Sequence, residues 1–476
     1  MRTYRYIALT ALLALVVGAC QNTPASAVPS TGGSPAAATP TAAASASAAA
    51  SASAAAASVA PTPLAVDPAE AVITGIEPGA SITFWTYFLS PAFDQYIKDT
   101  IDRFKLTYPG VEVKWEDHQA TFQQDLNNAF AANIAPDVIN LSTSEGWVSD
   151  YAGQGLLLPL TDTNVPKAVQ DIYFPGLWNS QLVDNVNYQF PWYQGLSVEL
   201  INKGIYEGKA GLKVDDFPTK IGDLLALCQT IKTNTNGTVC ALRLTVNDLL
   251  AQMVYDADVD IISADGKTFT FDSAAGVAWL QQYVDMVKAG TVDNDVLVTP
   301  LDRVGLLVFS AGQAPFYQTG PNLARDVKAN NPTLYGELAM KPAPVGLSGV
   351  LGKGLMSISV NKSAKFPNAS IALAQFFTNP RSMVQFSKQV AIYPSSAAAY
   401  DDPFFADAPS TIEDSARPLA EGIISTYKDI VPTVPKKKDV NTIVLKAVES
   451  ALFGNVPAQK ALTDAVTAAN KLIATP

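Results

Sequence analysis

Between Ser81 and Leu141 strand and helix signals alternate with almost no spare chain, and this order constrains the fold more than any other feature. Ser81-Ile82-Thr83-Phe84-Trp85-Thr86-Tyr87 is β-branched and aromatic, which predicts a strand. A helix is expected directly after it, with Ser90 as N-cap, Pro91 at the first helical position, and Phe93, Ile97, Ile101 and Phe104 on one face. Tyr108-Pro109-Gly110 stops that helix. Val111 to Trp115 then alternates as a half-buried second strand, a helix follows from about Phe122 to Asn133, and Asp137 to Leu141 reads as a third strand. A β-α-β-α-β order predicts a mostly parallel sheet with helices on both faces, and ligands that sit outside the carboxyl ends of the strands.

The N-terminal stretch is of another kind. An apolar run from Ile7 to Val17 follows Arg2 and Arg5, and at about eleven residues it has the length of a signal h-region and not of a membrane span. It closes on Val17-Gly18-Ala19-Cys20, which resembles a bacterial lipoprotein signal with its lipobox. The resemblance implies removal of residues 1–19 and acylation of Cys20, anchoring the protein to the outer face of a bacterial cell membrane, on its periplasmic or extracellular side. From Gln21 to about Pro63 the chain is almost wholly Ala, Ser, Thr and Pro without charge. Such a stretch has nothing large to bury against the backbone entropy of folding, so residues 20–78 are expected to form a lipidated, disordered tether.

The remaining length, from about Ala80 to Pro476, suits two domains. Hydrophobic residues make up 48 % of the chain, ample for packed cores, and only 16 % of residues are charged. Loss of Arg2 and Arg5 with the signal takes the net charge from −11 to −13, an acidic body that argues against nucleic acid and against a polyanion as the main partner. Of the three cysteines, Cys20 is accounted for by the lipobox, which leaves Cys228 and Cys240 in an exported chain. A disulfide is expected there. A metal site is the alternative, but His118 is the only histidine and no Cys-x-x-Cys spacing occurs.

Catalytic chemistry finds little footing. Ser-His and Cys-His arrangements would all depend on His118, and neither a Gly-x-Ser-x-Gly elbow nor a Gly-x-x-x-x-Gly-Lys phosphate loop is present. Glu116 and Asp117 could serve a glycosidase, but neighbours on a strand point to opposite faces. No enzyme activity and no cofactor are expected.

Seven segments, in order, resemble the extracellular solute-binding proteins of ABC transporters, in the sugar-binding branch related to maltose-binding protein. They are Ile82-Thr83-Phe84-Trp85, Phe104 to Val111 around Tyr108-Pro109-Gly110, Ala135-Pro136-Asp137-Val138, Tyr151 to Leu160, Tyr188-Gln189-Phe190-Pro191-Trp192, Phe309 to Ala314, and the glycine-rich stretch opened by Ala343-Pro344. Ser197 to Lys203 departs from the family's usual "Y-Y-N-K", and Asn322 stands where a tryptophan is common.

The resemblance implies a two-lobed periplasmic-binding-protein-like α/β fold of type II with a hinge. Residues 79–190 would start lobe one and 191–345 lobe two, with 346–395 returning to lobe one and 396–476 closing lobe two. Ligand would be trapped between the lobes. Sugars need aromatic platforms and fixed polar groups. The candidates placed by the fold are Trp85, Tyr87, Asp117, Gln119, Asn140, Ser142 and Ser144 in lobe one and Trp192 and Tyr193 at the crossover. Tyr317, Gln318 and Asn322 come from lobe two, and Lys353 and Tyr393 from the return. Trp85 also reads as core, and Ser142 also as a helix cap. The implied partners are a saccharide and permease subunits powered by a separate ATPase, with the protein a monomer. A binder of another solute, such as a peptide, a polyol phosphate or an amino-acid derivative, and a tethered adhesin are the other readings.

Overall fold

The computed structural model describes residues 67–143, 146–301, 303–351 and 355–474, all in one compact unit from Pro63 to Pro476. Cys20, the signal and most of the expected tether, together with Ser144 and Lys353, lie outside the described residues. Among the described residues no helix is long and apolar enough to cross a membrane. The folded body begins earlier than residue 79, because Glu70 and Ile73 are already buried.

Among the described residues nine strands form two sheets. β1 (Ser81–Tyr87), β2 (Glu112–His118), β3 (Val138–Ser142) and β4 (Phe190–Gln194) belong to the first, β5 (Val198–Asn202), β6 (Phe316–Thr319) and β7 (Leu338–Pro342) to the second, and β8 (Leu355–Val360) and β9 (Tyr393–Pro394) to the first again. The first sheet has the order β2-β1-β3-β8-β4-β9 and the second β6-β5-β7. β1 is parallel to β2 and β3, but β8 is antiparallel to β3 and β4, β9 is antiparallel to β4, and the second sheet is antiparallel throughout. A mostly parallel sheet in each lobe is therefore not what forms. The reason is topological: β8 arrives from the second lobe at the end where β3 finishes, so it must run the other way.

In β1, Ile82, Phe84 and Thr86 are fully buried on one face, while Trp85 and Tyr87 are half-buried on the other. Asp137 ties β1 to β3 by accepting the Thr83 amide at 2.8 Å and the Thr83 hydroxyl at 2.7 Å. Helix α1 spans Asp94–Thr107, beginning three residues later than Pro91; the Ser90–Pro91 peptide is cis, and the Ser90 hydroxyl donates to the Asp94 carboxylate. Gly110, with φ of 89°, makes the turn into β2 that a residue with a Cβ would strain.

Helices α2 (Phe122–Ala131) and α3 (Trp147–Gly153) cover one face of the first sheet. In the second lobe α4 (Ile221–Asn234), α5 (Leu249–Ala257) and α6 (Ala274–Ala289) precede α7 (Ala324–Asn330). The chain returns as α8 (Pro367–Phe377) and α9 (Pro380–Ser387), which pack with α1 on the other face of the first sheet. It ends in α10 (Lys437–Phe453) and α11 (Ala458–Ala474), packed on α6 in the second lobe's core. Cys228, in α4, is disulfide-bonded to Cys240 with Cα atoms 5.8 Å apart, and both are fully buried in that core. Closing so short a loop stabilises by roughly 3 kcal/mol in the chain-entropy model.

The second lobe also carries a buried acid. Asp256, at the end of α5, accepts the Trp279 indole N–H at 3.3 Å, yet burial pushes its carboxyl from the ordinary 3.8 to about 6. A raised carboxyl stabilises the fold below pH 4, and that contribution is lost as the pH rises through 6. The loss is on the order of 2–3 kcal/mol. Asp256→Asn is expected to flatten the urea-denaturation stability profile between pH 4 and about 6.5; an unchanged slope would refute this role for Asp256.

Candidate functional site

The carboxyl ends of β1, β2 and β3 share one edge of the first sheet, and there the rings gather. Tyr87 closes β1 with its ring 5.3 Å from Phe122, 5.2 Å from Trp147 and 4.8 Å from Phe88. Phe122 and Trp147 stack at 5.4 Å, and Trp85 lies 4.0 Å from the His118 ring. Most of these rings are turned inward. Phe88 is not: it is 50 % exposed, in a left-handed conformation with φ of 57°. A bulky residue adopts that conformation rarely, and at a strand end it presents the ring to solvent.

Asp117 holds this turn in place. Its carboxylate accepts the Thr86 hydroxyl at 2.7 Å, the Leu89 and Ser90 amides at 3.0 and 3.1 Å, and the Gln119 amide at 2.6 Å. Thr86 in turn accepts the Trp115 indole N–H at 2.8 Å. From β4, Tyr193 packs its ring 5.0 Å from Trp192 and 5.3 Å from Phe386, and burial first and the Asp117 charge second push its hydroxyl well above the usual range. His118 is held through Nδ1, 3.1 Å from Asp125.

Ten of the sequence-derived candidates fall into three groups, with Tyr193 and Gln318 apart from them. Trp85, Tyr87, Asp117, Gln119, Asn140 and Ser142 come together at this edge, although Asn140 and Ser142 are buried. Asn140 accepts the Tyr87 amide at 3.3 Å and donates to the Ser357 carbonyl at 3.0 Å, so it joins β1, β3 and β8. A second group is core. Trp192 is fully buried, 5.5 Å from Phe386 and 5.9 Å from Phe377, and Tyr317 is buried against Phe309. Both rings are covered by aromatic side chains from helices. A third pair, Asn322 and Tyr393, lies together elsewhere, with Tyr393 only 1 % exposed. Gln318 is exposed on β6 beside Glu199.

The sequence reading missed Phe88, Asp150 and Lys437. Burial raises the Asp150 carboxyl above its ordinary range, while Lys437, at the start of α10, acts in the opposite sense. Lys437 also meets Asp248 at 2.8 Å. An acid of α3 in the first lobe thus senses the charge of a lysine of the second. The run Lys436-Lys437-Lys438 was visible in the sequence; the backbone state of Phe88 was not.

Residues 89–384 match the sequence profile of the bacterial extracellular solute-binding proteins. Solved structures with similar folds include a periplasmic-binding protein from Synechococcus sp. MITs9220, with TM-score 0.71, 22 % identity, and coverage of 83 % of this chain and 99 % of that one. The sugar-binding protein MalE from Xanthomonas citri gives 0.69 at 21 % identity, covering 83 % and 98 %. The cyclic alpha-maltosyl-1,6-maltose binding protein from Arthrobacter globiformis gives 0.66 at 19 %, covering 83 % and 99 %.

Proposed function

The chain belongs to the bacterial extracellular solute-binding protein family, and from that premise we propose that it captures a saccharide between its lobes and delivers it to an ABC permease driven by a separate ATPase. The family is one of substrate binders and not of enzymes. One observation carries the saccharide reading: an exposed ring, Phe88, backed by Tyr87 and Trp147 and flanked by Asp117 and Gln119 at the carboxyl ends of parallel strands. The sugar ligands named for the proteins from Xanthomonas citri and Arthrobacter globiformis support it.

In this reading Tyr87, Phe88, Gln119 and Tyr193 contact the ligand, and Trp85, Asp117, Asn140 and Ser142 shape the wall. Lys437 and Gln318 approach from the second lobe. A ligand held by both lobes binds the closed form better and shifts the hinge equilibrium toward it. An acylated Cys20 and the uncharged spacer behind it would keep a monomeric binder near its permease at high effective concentration.

The test is a saccharide panel titrated into the protein, read by tryptophan fluorescence, solution scattering and melting temperature. At a ligand concentration 100 times Kd, stability is expected to rise by about 2.7 kcal/mol, with compaction. No change in any signal across mono- and oligosaccharides would refute the reading.

A further inference from the structure

A second recess lies beside β9. In the first sheet β9 sits beyond β4, at the edge opposite β2, and in the second sheet β6 is the edge strand next to β5. The recess has a volume of about 300 Å³. One wall is the first-lobe stretch from Lys388 to Tyr393, after α9; the other is Asn322 and Arg325 at the start of α7, with Phe404 and Arg417 from the segment after β9.

Its acids and its donors are unequally satisfied. Glu413 accepts the Tyr335 hydroxyl at 2.7 Å, Asp414 accepts the Ser410 hydroxyl at 2.6 Å, and Lys388 is held by Asp402 at 2.9 Å. The arginines and Tyr393 are less completely satisfied. Arg417 meets Asp414 at 3.8 Å and gives Nη1 to the Phe404 carbonyl at 3.2 Å, with its guanidinium 4.5 Å from the Phe404 ring, but its buried Nε has no hydrogen-bond partner among the described residues. The Tyr393 hydroxyl is buried and equally unpartnered. Arg325 is largely exposed and has Asp326 only at 3.8 Å. A buried donor without a partner is costly, so a group supplying acceptor oxygens is favoured here.

We propose that this recess is a second binding site, for a small carboxylate such as a hydroxy acid. A carboxylate matches the planar guanidinium fork and forms the stronger, charge-assisted class of hydrogen bond. Phe404 supplies an apolar floor, and Asn322 and Gln389 offer amides to hydroxyl groups. Because its walls come from both lobes, a rotation that narrows the cleft changes the distance between them. A carboxylate gripping both walls is therefore coupled to closure, and by linkage a saccharide changes carboxylate affinity by the same factor. This coupling rests on the cleft reading; the site itself does not.

Citrate and malonate, titrated by calorimetry into the full-length protein at low ionic strength, are expected to bind saturably with Kd of about 1 mM or tighter. Arg325→Gln, on an exposed side chain, should weaken binding at least fivefold without moving the melting temperature of the free protein, and Arg417→Gln should weaken it further. Phe88→Ala should leave it unchanged while impairing saccharide binding, which separates the two sites. The proposal fails if no saturable heat appears up to about ten times that Kd, if Arg325→Gln binds like the parent, or if sulfate binds as well as citrate. The coupling fails if saturating citrate leaves saccharide affinity unchanged.

Discussion

Replacing Arg103 with methionine is expected to destabilise the protein by about 3–5 kcal/mol, the penalty for breaking a buried ion pair from one side. Arg103 is 1 % exposed and Glu70 is 5 % exposed, with Nε and Oε2 3.3 Å apart. The guanidinium also donates to Gln385 and Ser382 of α9 and lies over the Phe376 ring at 4.9 Å. Arg381 and Asn379 meet the same Glu70 carboxylate at 3.1 and 3.0 Å. One arginine thus pins the first residues of the folded body, α1 and α9 together. Removing it leaves a charged carboxylate in the interior, with the half-exposed Arg381 as its remaining cation. Urea unfolding followed by circular dichroism checks this, and a loss below about 1 kcal/mol would mean the pair is worth no more than a surface one.

Asp117→Ala is expected to cost about 3 kcal/mol or more of stability and at least tenfold in saccharide affinity. The substitution strands two buried donors, the Thr86 hydroxyl and the Leu89 amide, each worth about 1–3 kcal/mol when unpaired. It also frees the turn that holds Phe88 outward. Asp117→Asn retains an acceptor oxygen and is expected to restore part of both losses. The comparison therefore separates position from charge: equal affinity of the Asp117→Ala variant and the parent would remove Asp117, and the turn it fixes, from the binding site. Melting temperature and ligand titration on the same samples are the measurements.

Much of this arrangement is written locally. The alternation of Ile82, Phe84 and Thr86 with Trp85 and Tyr87 predicts both the strand and its two faces, and both are seen. The apolar spacing of Ile97, Ile101 and Phe104 predicts α1, though the start moved to Asp94 because Ser90 and Pro91 were used in the turn before it. The same local logic could not sort the aromatic residues. Trp192 follows a proline at a lobe crossing and reads as a cleft platform, yet it packs on Phe377 and Phe386, contributed by helices about 190 residues later. Tyr317 is likewise closed off by Phe309. An aromatic side chain satisfies a core and a sugar site equally well, and only the neighbours distinguish them.

The sequence by itself determined the order of the elements in the first lobe and the pairing of Cys228 with Cys240. These depend on periodicity, turn chemistry and the supply of cysteines, all readable over short stretches. Tertiary structure alone decided that β8 enters antiparallel between β3 and β4, that Glu70 is buried against Arg103, that Phe88 faces outward, and that Asn322 and Tyr393 line one recess. Each of those outcomes needs segments far apart in the chain to arrive at one place. Local pattern specifies which face of an element is apolar, but not which distant element will cover it.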